Sequence, residues 1–376
     1  MKDISLYFHI PFCTRKCGYC HFYVLPDQES NKDLLLEGFK REWELWQPLL
    51  KKHTISTIYF GGGTPFLLGP SRLASLLQLI RNDFSIPSSI EITLEANPEN
   101  VRLSLMQEYA QAGINRVSLG IQSLDENLLK ILGRLHDAQT AINAVEWTQQ
   151  AGIKNISVDL MYDLPQQTIA SWESTLHTIG QLPITHLSLY NLTIEPHTLF
   201  FKKQDQLRPF IPDETTSLAM YEKAIESLEA RGLKQYEISA FAQPGYHSKH
   251  NVGYWTARPF IGFGPSAFSY LEGRRFKNVS NLKRYCEALN QGNSPIDFEE
   301  QLNPQAQLRE LFVIQLRLKE GVNLHTFEQQ HGALDLETQT SLHRLSQEGF
   351  LTGLDHQIRL TKRGILFYDT VASELI

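Results

Sequence analysis

The sequence lacks three features that are typical of membrane proteins, nucleic-acid-binding proteins and secreted proteins. No apolar run approaches the ~18 residues that a membrane-spanning helix requires. There is no basic excess, because 41 acidic residues outnumber 35 basic ones and leave a net charge of −6, whereas nucleic-acid-binding domains usually carry a basic stripe. The first residues show no signal-peptide pattern. We therefore expect a cytoplasmic protein with no transmembrane segment and no nucleic-acid partner.

Cysteine is scarce, and its distribution is uneven. The 376 residues include only four cysteines, and three of them, Cys13, Cys17 and Cys20, lie in the stretch "HIPFCTRKCGYCHF" (9–22). In a reducing compartment, thiols this close together indicate metal ligands or redox groups rather than a disulfide framework. Cys286 lies far away on a predicted amphipathic helix, where we expect a small buried side chain.

Three thiolates leave one ligand position to explain. A 4Fe–4S cluster is normally held by four thiolates, and structural zinc prefers four protein donors. His21 could complete a Cys₃His zinc site, although residues adjacent on a loop rarely give good tetrahedral geometry around one ion. The alternative is a cluster whose fourth iron is left open for a small molecule. A metal-free loop and a zinc site both stay open at this point.

The first two-thirds of the chain alternate β-rich runs with helical patterns. Six strands are predicted at 5–10, 55–60, 91–96, 116–122, 155–162 and 186–192. Helical patterns fall between or after them at 29–50, 70–83, 103–112, 138–151 and 169–181. Such alternation predicts parallel strands joined by crossovers. Six units are too few for a complete (β/α)₈ barrel, which takes ~250 residues, so we predict an α/β fold with a partial, TIM-like (β/α)₆ barrel over 1–211.

The remaining third has a different pattern. Residues 212–300 predict a long helix at 213–231, a strand at "HNVGYW", the Gly-rich "GFGPSAFS" and a further helix. Residues 301–376 predict three helices and a hairpin, which is typical of a winged-helix-like α+β domain. Its basic residues could face nucleic acid, but a solvated face is the preferred interpretation: Arg344, Arg359, Lys362 and Arg363.

Polar residues follow several predicted strands at their carboxyl ends, where a barrel places its chemistry. "GGGTP" (61–65) follows the second strand, and its glycines permit close approach of a ligand to the backbone. Glu95 ends the third strand and can accept hydrogen bonds from ribose hydroxyls. Gln122 and Asp159 belong to the next two strands, and Arg134 can clamp a carboxylate through its planar fork. Together these residues predict a cofactor site on one rim.

The motif C-x₃-C-x₂-C, with an aromatic residue before the last cysteine, resembles the signature of radical S-adenosylmethionine proteins. The resemblance implies a 4Fe–4S cluster whose open iron is chelated by the amino and carboxylate groups of S-adenosylmethionine. An electron from such a cluster cleaves the sulfonium and gives a 5′-deoxyadenosyl radical. This chemistry needs a low-potential reductant bonded directly to the leaving group.

A narrower resemblance rests on seven segments in chain order: "LYFHIPFCTRKCGYCHF", "FGGGTP", "LEANPE", "RVSLGIQSLDENLLKILGRLH", "DLMYDLPQQT", "LSLYNLTIEPHT" and "HNVGYW". They resemble the oxygen-independent coproporphyrinogen III oxidase family over roughly 5–350, and most closely its haem chaperones of the HemW type. The oxidases follow the third cysteine with x-Cys, whereas this chain has Phe22. They also carry a longer N-terminal extension, and "LTIEPHTLF" and "HNVGYW" look like HemW motifs.

The resemblance implies a set of site residues. The cluster ligands would be Cys13, Cys17 and Cys20. The S-adenosylmethionine contacts would be Tyr7, Tyr19, Gly62, Gly63, Thr64, Glu95, Gln122, Arg134 and Asp159, with Thr193 and Phe268 as further contacts of differing residue type. One departure is Asp163, where the family has glycine in "YGLP". Because Asp tolerates a left-handed conformation, we expect the turn to persist.

A haem carrier needs an axial ligand and an apolar pocket. His250 in "YHSKHNVGYW" is the predicted ligand, with flat walls from Tyr246, Tyr254 and Trp255. The alternative is that His250 only hydrogen-bonds the core. His247 is a second candidate ligand, and His9 is expected to support the cysteine loop rather than to bind iron.

These observations predict a haem chaperone of the HemW type that binds a 4Fe–4S cluster, S-adenosylmethionine and haem. Its partners would be haem-requiring acceptor proteins and a low-potential electron donor. The second hypothesis is an oxygen-independent coproporphyrinogen III oxidase, in which the radical abstracts hydrogen from a propionate side chain and drives decarboxylation. A third, from another class, is a zinc-stabilised adaptor protein.

Overall fold

The computed structural model describes residues 2–354 and 356–376. Its strands are β1 (Lys2–Ile10), β2 (Phe12–Cys13), β3 (Leu25–Pro26), β4 (His53–Gly62), β5 (Glu91–Ala96), β6 (Arg116–Gln122), β7 (Asn155–Tyr162), β8 (His186–Asn191), β9 (Lys234–Glu237), β10 (Ala240–Ala242), β11 (Phe260–Phe263), β12 (Phe268–Leu271), β13 (Arg274–Asn278), β14 (Ile296–Gln301), β15 (Val322–Asn323), β16 (Leu351–Thr352) and β17 (Gln357–Leu360). Its helices are α1 (Glu29–Leu50), α2 (Pro70–Asp83), α3 (Leu103–Ala112), α4 (Glu126–Leu132), α5 (Ala138–Gln150), α6 (Ile169–Ile179), α7 (Leu199–Lys202), α8 (Gln204–Leu207), α9 (Glu214–Glu229), α10 (Lys249–Trp255), α11 (Leu282–Asn290), α12 (Pro304–Gln315), α13 (Leu324–His331), α14 (Leu336–Gln347), α15 (Lys362–Leu366) and α16 (Tyr368–Leu375).

Twelve strands form one mixed sheet, in the order β14-β13-β12-β11-β1-β4-β5-β6-β7-β8-β10-β9. Six neighbours in this sheet, β1 and β4 to β8, are all parallel, and each corresponds to one predicted strand. The five predicted crossover helices are α1, α2, α3, α5 and α6. The α/β fold with a partial (β/α)₆ barrel is therefore confirmed. Helix α4, between β6 and α5, was not predicted.

Strand β1 explains how the sheet gains two different faces. Ile4, Leu6 and Phe8 are buried in the main core against the surrounding helices. Because side chains alternate along a strand, Ser5, Tyr7 and His9 lie on the opposite face, inside the curve of the sheet. The same strand thus supplies packing on one side and polar groups for an interior site on the other.

The segment "HNVGYW" forms helix α10, so its predicted strand is wrong. The Ser248 hydroxyl accepts the N–H of Asn251, and the Glu91 carboxylate accepts the N–H groups of Lys249 and His250 at 3.0 and 2.9 Å. A carboxylate here satisfies free donors and complements the positive end of the helix. Because Glu91 comes from distant β5, the local pattern could not reveal this cap.

The C-terminal region packs around a core of its own, formed by Leu308, Leu311, Phe312, Val313, Leu316, Val322, Phe327, Leu334, Leu342, Leu345, Phe350, Leu351, Ile358, Val371 and Leu375. The three predicted helices are α12, α13 and α14, and the hairpin is β16–β17, joined by β15. Helices α15 and α16 were not predicted. Strands β9 to β14 belong to the same sheet as the barrel strands. The domain boundaries at 211 and 300 stay a prediction.

The four basic residues singled out in this region contact other protein groups. Arg344 pairs with Glu374, and the Lys362 ammonium lies 2.6 Å from Glu222. Arg359 and Arg363 donate to backbone carbonyl oxygens.

No helix among residues 2–354 and 356–376 is both long and apolar enough to cross a bilayer.

Candidate functional site

A cavity of about 470 Å³, here called the rim cavity, opens at the carboxyl ends of the parallel strands. Eleven of the predicted site residues line it: Cys13, Cys17, Tyr19, Cys20, Gly62, Gly63, Glu95, Gln122, Arg134, Asp159 and Thr193. Thr64 lies behind this lining, with its Oγ1 3.5 Å from the Cys13 Sγ. Segments from six strands thus meet where the fold rules place a site.

The cysteine loop is closed at its base by the pairing of β2 with β3, in which Cys13 opposes Pro26. Within the loop, the Cys20 N–H donates to the Cys17 carbonyl at 3.3 Å. Gly18 allows close packing, because a Cβ there would lie 2.6 Å from the Phe200 ring. The backbone therefore holds all three thiols toward one cavity.

The chemistry of these thiols suits a cluster. All three cysteines are free and half-buried, and burial raises the pKa of Cys13 to about 11 and also raises that of Cys20. A bound iron supplies the positive charge that a desolvated thiolate needs. Among the described residues, no three His, Cys, Asp or Glu side chains are close enough to hold one ion. A 4Fe–4S cluster takes one thiolate per iron, so its ligands need not converge on a single point.

Two positions of the Gly61–Gly63 segment, Gly62 and Gly63, have no room for a side chain. A Cβ on Gly63 would lie 2.7 Å from the Phe12 carbonyl oxygen and 3.1 Å from the Cys13 Sγ. Gly62 has φ +118°, and a Cβ there would contact the His9 ring. The N–H groups of Gly62 and Gly63 already donate to Glu95 and Ile10. The segment therefore suits a ligand that donates hydrogen bonds, such as an ammonium group, better than an anion.

Two carboxylates face the interior of the rim cavity. Glu95 accepts from the Tyr59 hydroxyl at 2.8 Å and from the Gly62 N–H at 3.1 Å. Burial raises its pKa to about 7, with a further contribution from Asp159. Asp159 accepts from the Ser118 hydroxyl at 3.1 Å, and burial raises its pKa as well. Both are desolvated acceptors of the kind that hydroxyl-bearing ligands recognise.

Arg134 ties the cysteine loop to two strand ends. Its guanidinium donates to the Asn97 Oδ1 at 2.8 Å, to the Gly120 carbonyl and to the Cys17 Sγ at 3.6 Å. Asn97 in turn donates to the Thr64 hydroxyl at 2.9 Å, beside Cys13. The Arg134 Nε is buried without a partner among the described residues. This free donor fits the predicted contact with a ligand carboxylate.

A second cavity, of about 580 Å³, lies along the inner face of β1, between α10, β12 and α12. We call it the aromatic cavity, because eight aromatic side chains line it: Tyr7, Phe22, Tyr23, Tyr254, Trp255, Phe260, Phe268 and Tyr270. Tyr7 and Phe268, predicted as S-adenosylmethionine contacts, lie here rather than in the rim cavity. His21 and Phe22 line both cavities, so the two are neighbours.

His250 lines neither cavity among the described residues. Its Nδ1 lies 2.8 Å from the Thr57 hydroxyl, and its Nε2 lies 2.8 Å from the Tyr254 hydroxyl. Burial lowers its pKa to about 3, so the ring is neutral. These contacts match the alternative of a hydrogen-bonded core histidine. Its role as a haem ligand stays a prediction that requires the Tyr254 hydroxyl to move.

Three other flagged residues have clear surroundings. His9 places its Nδ1 3.0 Å from the Tyr7 hydroxyl and packs against Gly62, as expected of a supporting residue. His247 stacks on Tyr236, with ring centroids 4.1 Å apart. Asp163 has φ +60°, so the predicted left-handed turn is present.

Comparison with known proteins decides the family. Residues 7–179 match the Radical SAM superfamily, and residues 302–367 match the HemN C-terminal domain. The chain is 33% identical to the heme chaperone HemW of Bacillus subtilis (strain 168), over 98% of this chain and 97% of that protein. It is 35% identical to HemW of Lactococcus lactis, over 87% and 85%. This chain belongs to the HemW family.

The HemW assignment confirms the predicted resemblance, and the solved structures agree with the fold. The Escherichia coli coproporphyrinogen III oxidase HemN superposes with a TM-score of 0.87 over 100% of this chain and 90% of that one. Because the two are only 22% identical, this likeness concerns the fold alone.

Sequence reasoning did not assign two residues of this HemW-family site. Asn97 directly follows β5, and the strand-end rule placed it on the rim without a role; the structure shows that it joins Arg134 to Thr64. Tyr59 lies inside β4 and donates to Glu95. Its alternation with Ile58 and Phe60 marked it as facing the opposite side from the core, but nothing in the sequence identified its partner.

Proposed function

We propose that this protein is a cytoplasmic haem chaperone of the HemW type. It would hold a 4Fe–4S cluster on Cys13, Cys17 and Cys20, bind S-adenosylmethionine at the open iron, and deliver haem to haem-requiring proteins. The observation that carries the proposal is the rim cavity, where three free thiols share one space with Glu95 and Arg134.

The residues of the rim cavity divide according to the groups of S-adenosylmethionine. The Gly62–Thr64 backbone would meet the methionine amino group, and the unpartnered Arg134 Nε would meet its carboxylate. Glu95 would accept from ribose hydroxyls. The remaining contacts are assigned to Tyr19, Gln122, Asp159 and Thr193, with Tyr7 and Phe268 reached from the aromatic cavity. The bound cluster would supply a low-potential electron, delivered by a separate electron donor.

The first experiment measures iron and sulfide after anaerobic reconstitution. We expect about four irons per chain and a broad absorption band near ~400 nm. Changing any one of the three cysteines to Ser should abolish both signals, because it removes a ligand from an incomplete set. Cys286→Ser is the matched control, since Cys286 is buried and its Sγ lies 3.4 Å from the Leu34 carbonyl. One zinc and no iron would instead support the adaptor hypothesis.

The oxidase remains the second candidate because of one observation. The rim and aromatic cavities share His21 and Phe22, so a porphyrinogen in the second cavity would lie beside the radical site. The reconstituted protein is therefore incubated with coproporphyrinogen III, S-adenosylmethionine, a low-potential reductant and an electron acceptor for the electron that the substrate radical releases on decarboxylation. A carrier leaves the propionates intact, whereas formation of protoporphyrinogen would assign the oxidase activity.

A further inference from the structure

Arg258 lies at one end of the aromatic cavity, next to the start of β11. Its Nη1 donates to the Ser5 hydroxyl at 3.2 Å. The guanidinium lies directly over Gly253 of α10, where a Cβ would come within 2.9 Å of its central carbon. Because Gly253 has no side chain, the Arg258 guanidinium can pack against α10 at this position. This packing and the hydrogen bond to Ser5 restrict the movement of the arginine side chain.

Arg258 lacks an oppositely charged partner within the part of the chain that the structure describes. Among residues 2–354 and 356–376 it forms no ion pair, and its side chain is half-buried. Burial lowers its pKa, against weaker opposing effects from Asp3 and Glu91. Glu91 is already engaged by the start of α10. A half-buried guanidinium on an aromatic cavity therefore lacks the anion that would offset its desolvation.

The second arginine of the same cavity is different. Arg275 donates to Glu310 at 2.7 Å and to Glu300 at 2.6 Å, so its fork is already satisfied by carboxylates. Of the two arginines that line the aromatic cavity, only Arg258 lacks a carboxylate partner among the described residues. Trp255 also lines the cavity, and its buried indole N–H has no partner among the described residues.

The direction of the cavity follows from β1. Ser5 touches Arg258, Tyr7 lies in the middle, and His9 lies near the cysteine loop. Ser5 and His9 are four residue steps apart along the strand, a distance of about 13 Å. Aromatic walls along this length fit a flat, apolar ring system, with an acidic group at the Arg258 end and the ring toward the rim cavity.

We propose that the aromatic cavity is the haem-binding site and that Arg258 recognises a propionate carboxylate of the haem. This inference rests on the proposed haem-carrying function and adds the site and its recognition group. The ligand class it defines is a flat tetrapyrrole that carries at least one free carboxylate. Arg258 has no part in the rim cavity, so the cluster is not needed for this contact.

The test compares two probes, haem and haem dimethyl ester, in which both propionates are esterified. Full-length reconstituted protein is titrated with each and followed by absorbance. Because a charge-assisted hydrogen bond is lost with the ester, wild type should bind haem roughly 10- to 100-fold more tightly than the ester. Arg258→Gln should lower haem affinity about tenfold or more and leave the affinity for the ester unchanged. Arg275→Gln should keep the wild-type preference.

Failure of this inference differs from failure of the proposed function. If wild type binds both probes equally, or if Arg258→Gln keeps the full preference for haem, Arg258 does not recognise the carboxylate and the haem chaperone proposal still stands. If wild type binds neither probe, the proposed function itself fails. Should Arg258→Gln not fold, as judged by iron content and thermal unfolding, Arg258→Lys replaces it. That variant should lose several-fold of the preference, because an ammonium cannot donate a planar pair of hydrogen bonds; an unchanged preference overturns the inference.

Discussion

The two neighbouring cavities differ in how their polar groups are satisfied. In the rim cavity, Arg134, Asn97 and Thr64 form a continuous hydrogen-bonded chain that reaches the cysteine loop. In the aromatic cavity, Arg258 and the Trp255 N–H keep donors that have no partner in the described part of the chain. Apart from the Arg134 Nε, the rim network is hydrogen-bonded among protein groups and fixes a geometry before the ligand arrives, whereas unused donors in an apolar space gain their partners from the ligand. The rim cavity therefore suits a resident cofactor, and the aromatic cavity suits cargo that comes and goes.

The largest effect is expected from a substitution that disturbs the rim cavity and leaves the aromatic cavity intact. Gly63→Ala places a Cβ 2.7 Å from the Phe12 carbonyl oxygen, which forces the cysteine loop away from the glycine segment. We expect iron incorporation to fall by about tenfold or more, as changes to groups that support metal ligands commonly do. Haem binding should persist. Gly232→Ala, at a position with φ +79° where a Cβ has no atom within 4 Å, controls for the backbone strain of a glycine-to-alanine change away from the cavity and should keep its iron.

The second prediction concerns a buried carboxylate that joins α1 to β13 and α11. Glu42 of α1 is fully buried and accepts from the Gly264 N–H, the Asn278 amide and the Tyr285 hydroxyl. Glu42→Leu orphans these three donors and should lower the free energy of unfolding by at least about 3 kcal/mol. Exposed Glu44→Leu should leave it nearly unchanged. Chemical denaturation of both variants measures the difference, and equal midpoints would contradict the prediction.

The same residue predicts a pH dependence. Burial raises the pKa of Glu42 to about 7 from an ordinary value of 4.5. The folded protein therefore keeps a proton that the unfolded chain releases, and the contribution of this group to stability is fully present below pH 4.5 and is lost as pH rises through about 7. Glu42→Gln has no proton to lose here. Its stability relative to wild type should therefore rise over that range, and a constant difference would argue against it.

A smaller effect is expected where the aromatic cavity meets the polar interior. If His250 binds haem iron, its Nε2 must first release the Tyr254 hydroxyl. Tyr254→Phe removes that competitor and should raise haem affinity several-fold, while His250→Ala should change the haem spectrum. Tyr270→Phe, in the same cavity, is the control. Unchanged spectra and affinity in both test variants would remove His250 as a ligand.

The smallest effect is expected at Asp163, which lines neither cavity. Asp163→Gly relieves a left-handed conformation but removes the acceptor of the Asn191 amide and the Ser217 hydroxyl. We expect the opposing effects to leave the free energy of unfolding within ~1 kcal/mol of wild type. Burial raises the pKa of Asp163. The free energy of unfolding of wild type, relative to that of the glycine variant, should therefore be greatest at acidic pH and fall as pH rises. Asp163→Asn keeps the turn without the charge, and a large loss in the glycine variant alone would assign the turn a greater role.

The sequence was most informative about functional side chains that lie in a strand or in the loop directly after it. Cys13, Glu95 and Asp159 could be placed on one rim because each belongs to a parallel strand or the loop after it, and parallel strands end at a common edge. The partial barrel was predictable for the same reason. Both conclusions depend on local periodicity and on a fold rule that needs no side-chain detail.

The aromatic cavity could not be predicted in this way. Its walls combine β1 with α10, β12 and α12, from opposite ends of the chain. Whether Arg258 has a partner depends on which carboxylates fold near it, and periodicity does not contain that information. The error at "HNVGYW" has the same origin, because the cap on α10 is a carboxylate from β5.

The wall that His21 and Phe22 contribute to both cavities has a thermodynamic consequence. Any displacement of this dipeptide on filling one cavity alters the shape of the other, and Cys20 directly precedes it in the chain. Under the proposed function, linkage then demands symmetry: whatever factor bound S-adenosylmethionine would impose on the affinity for haem, haem would impose on the affinity for S-adenosylmethionine. Loading and release would be coupled through two side chains, without any rearrangement of the sheet.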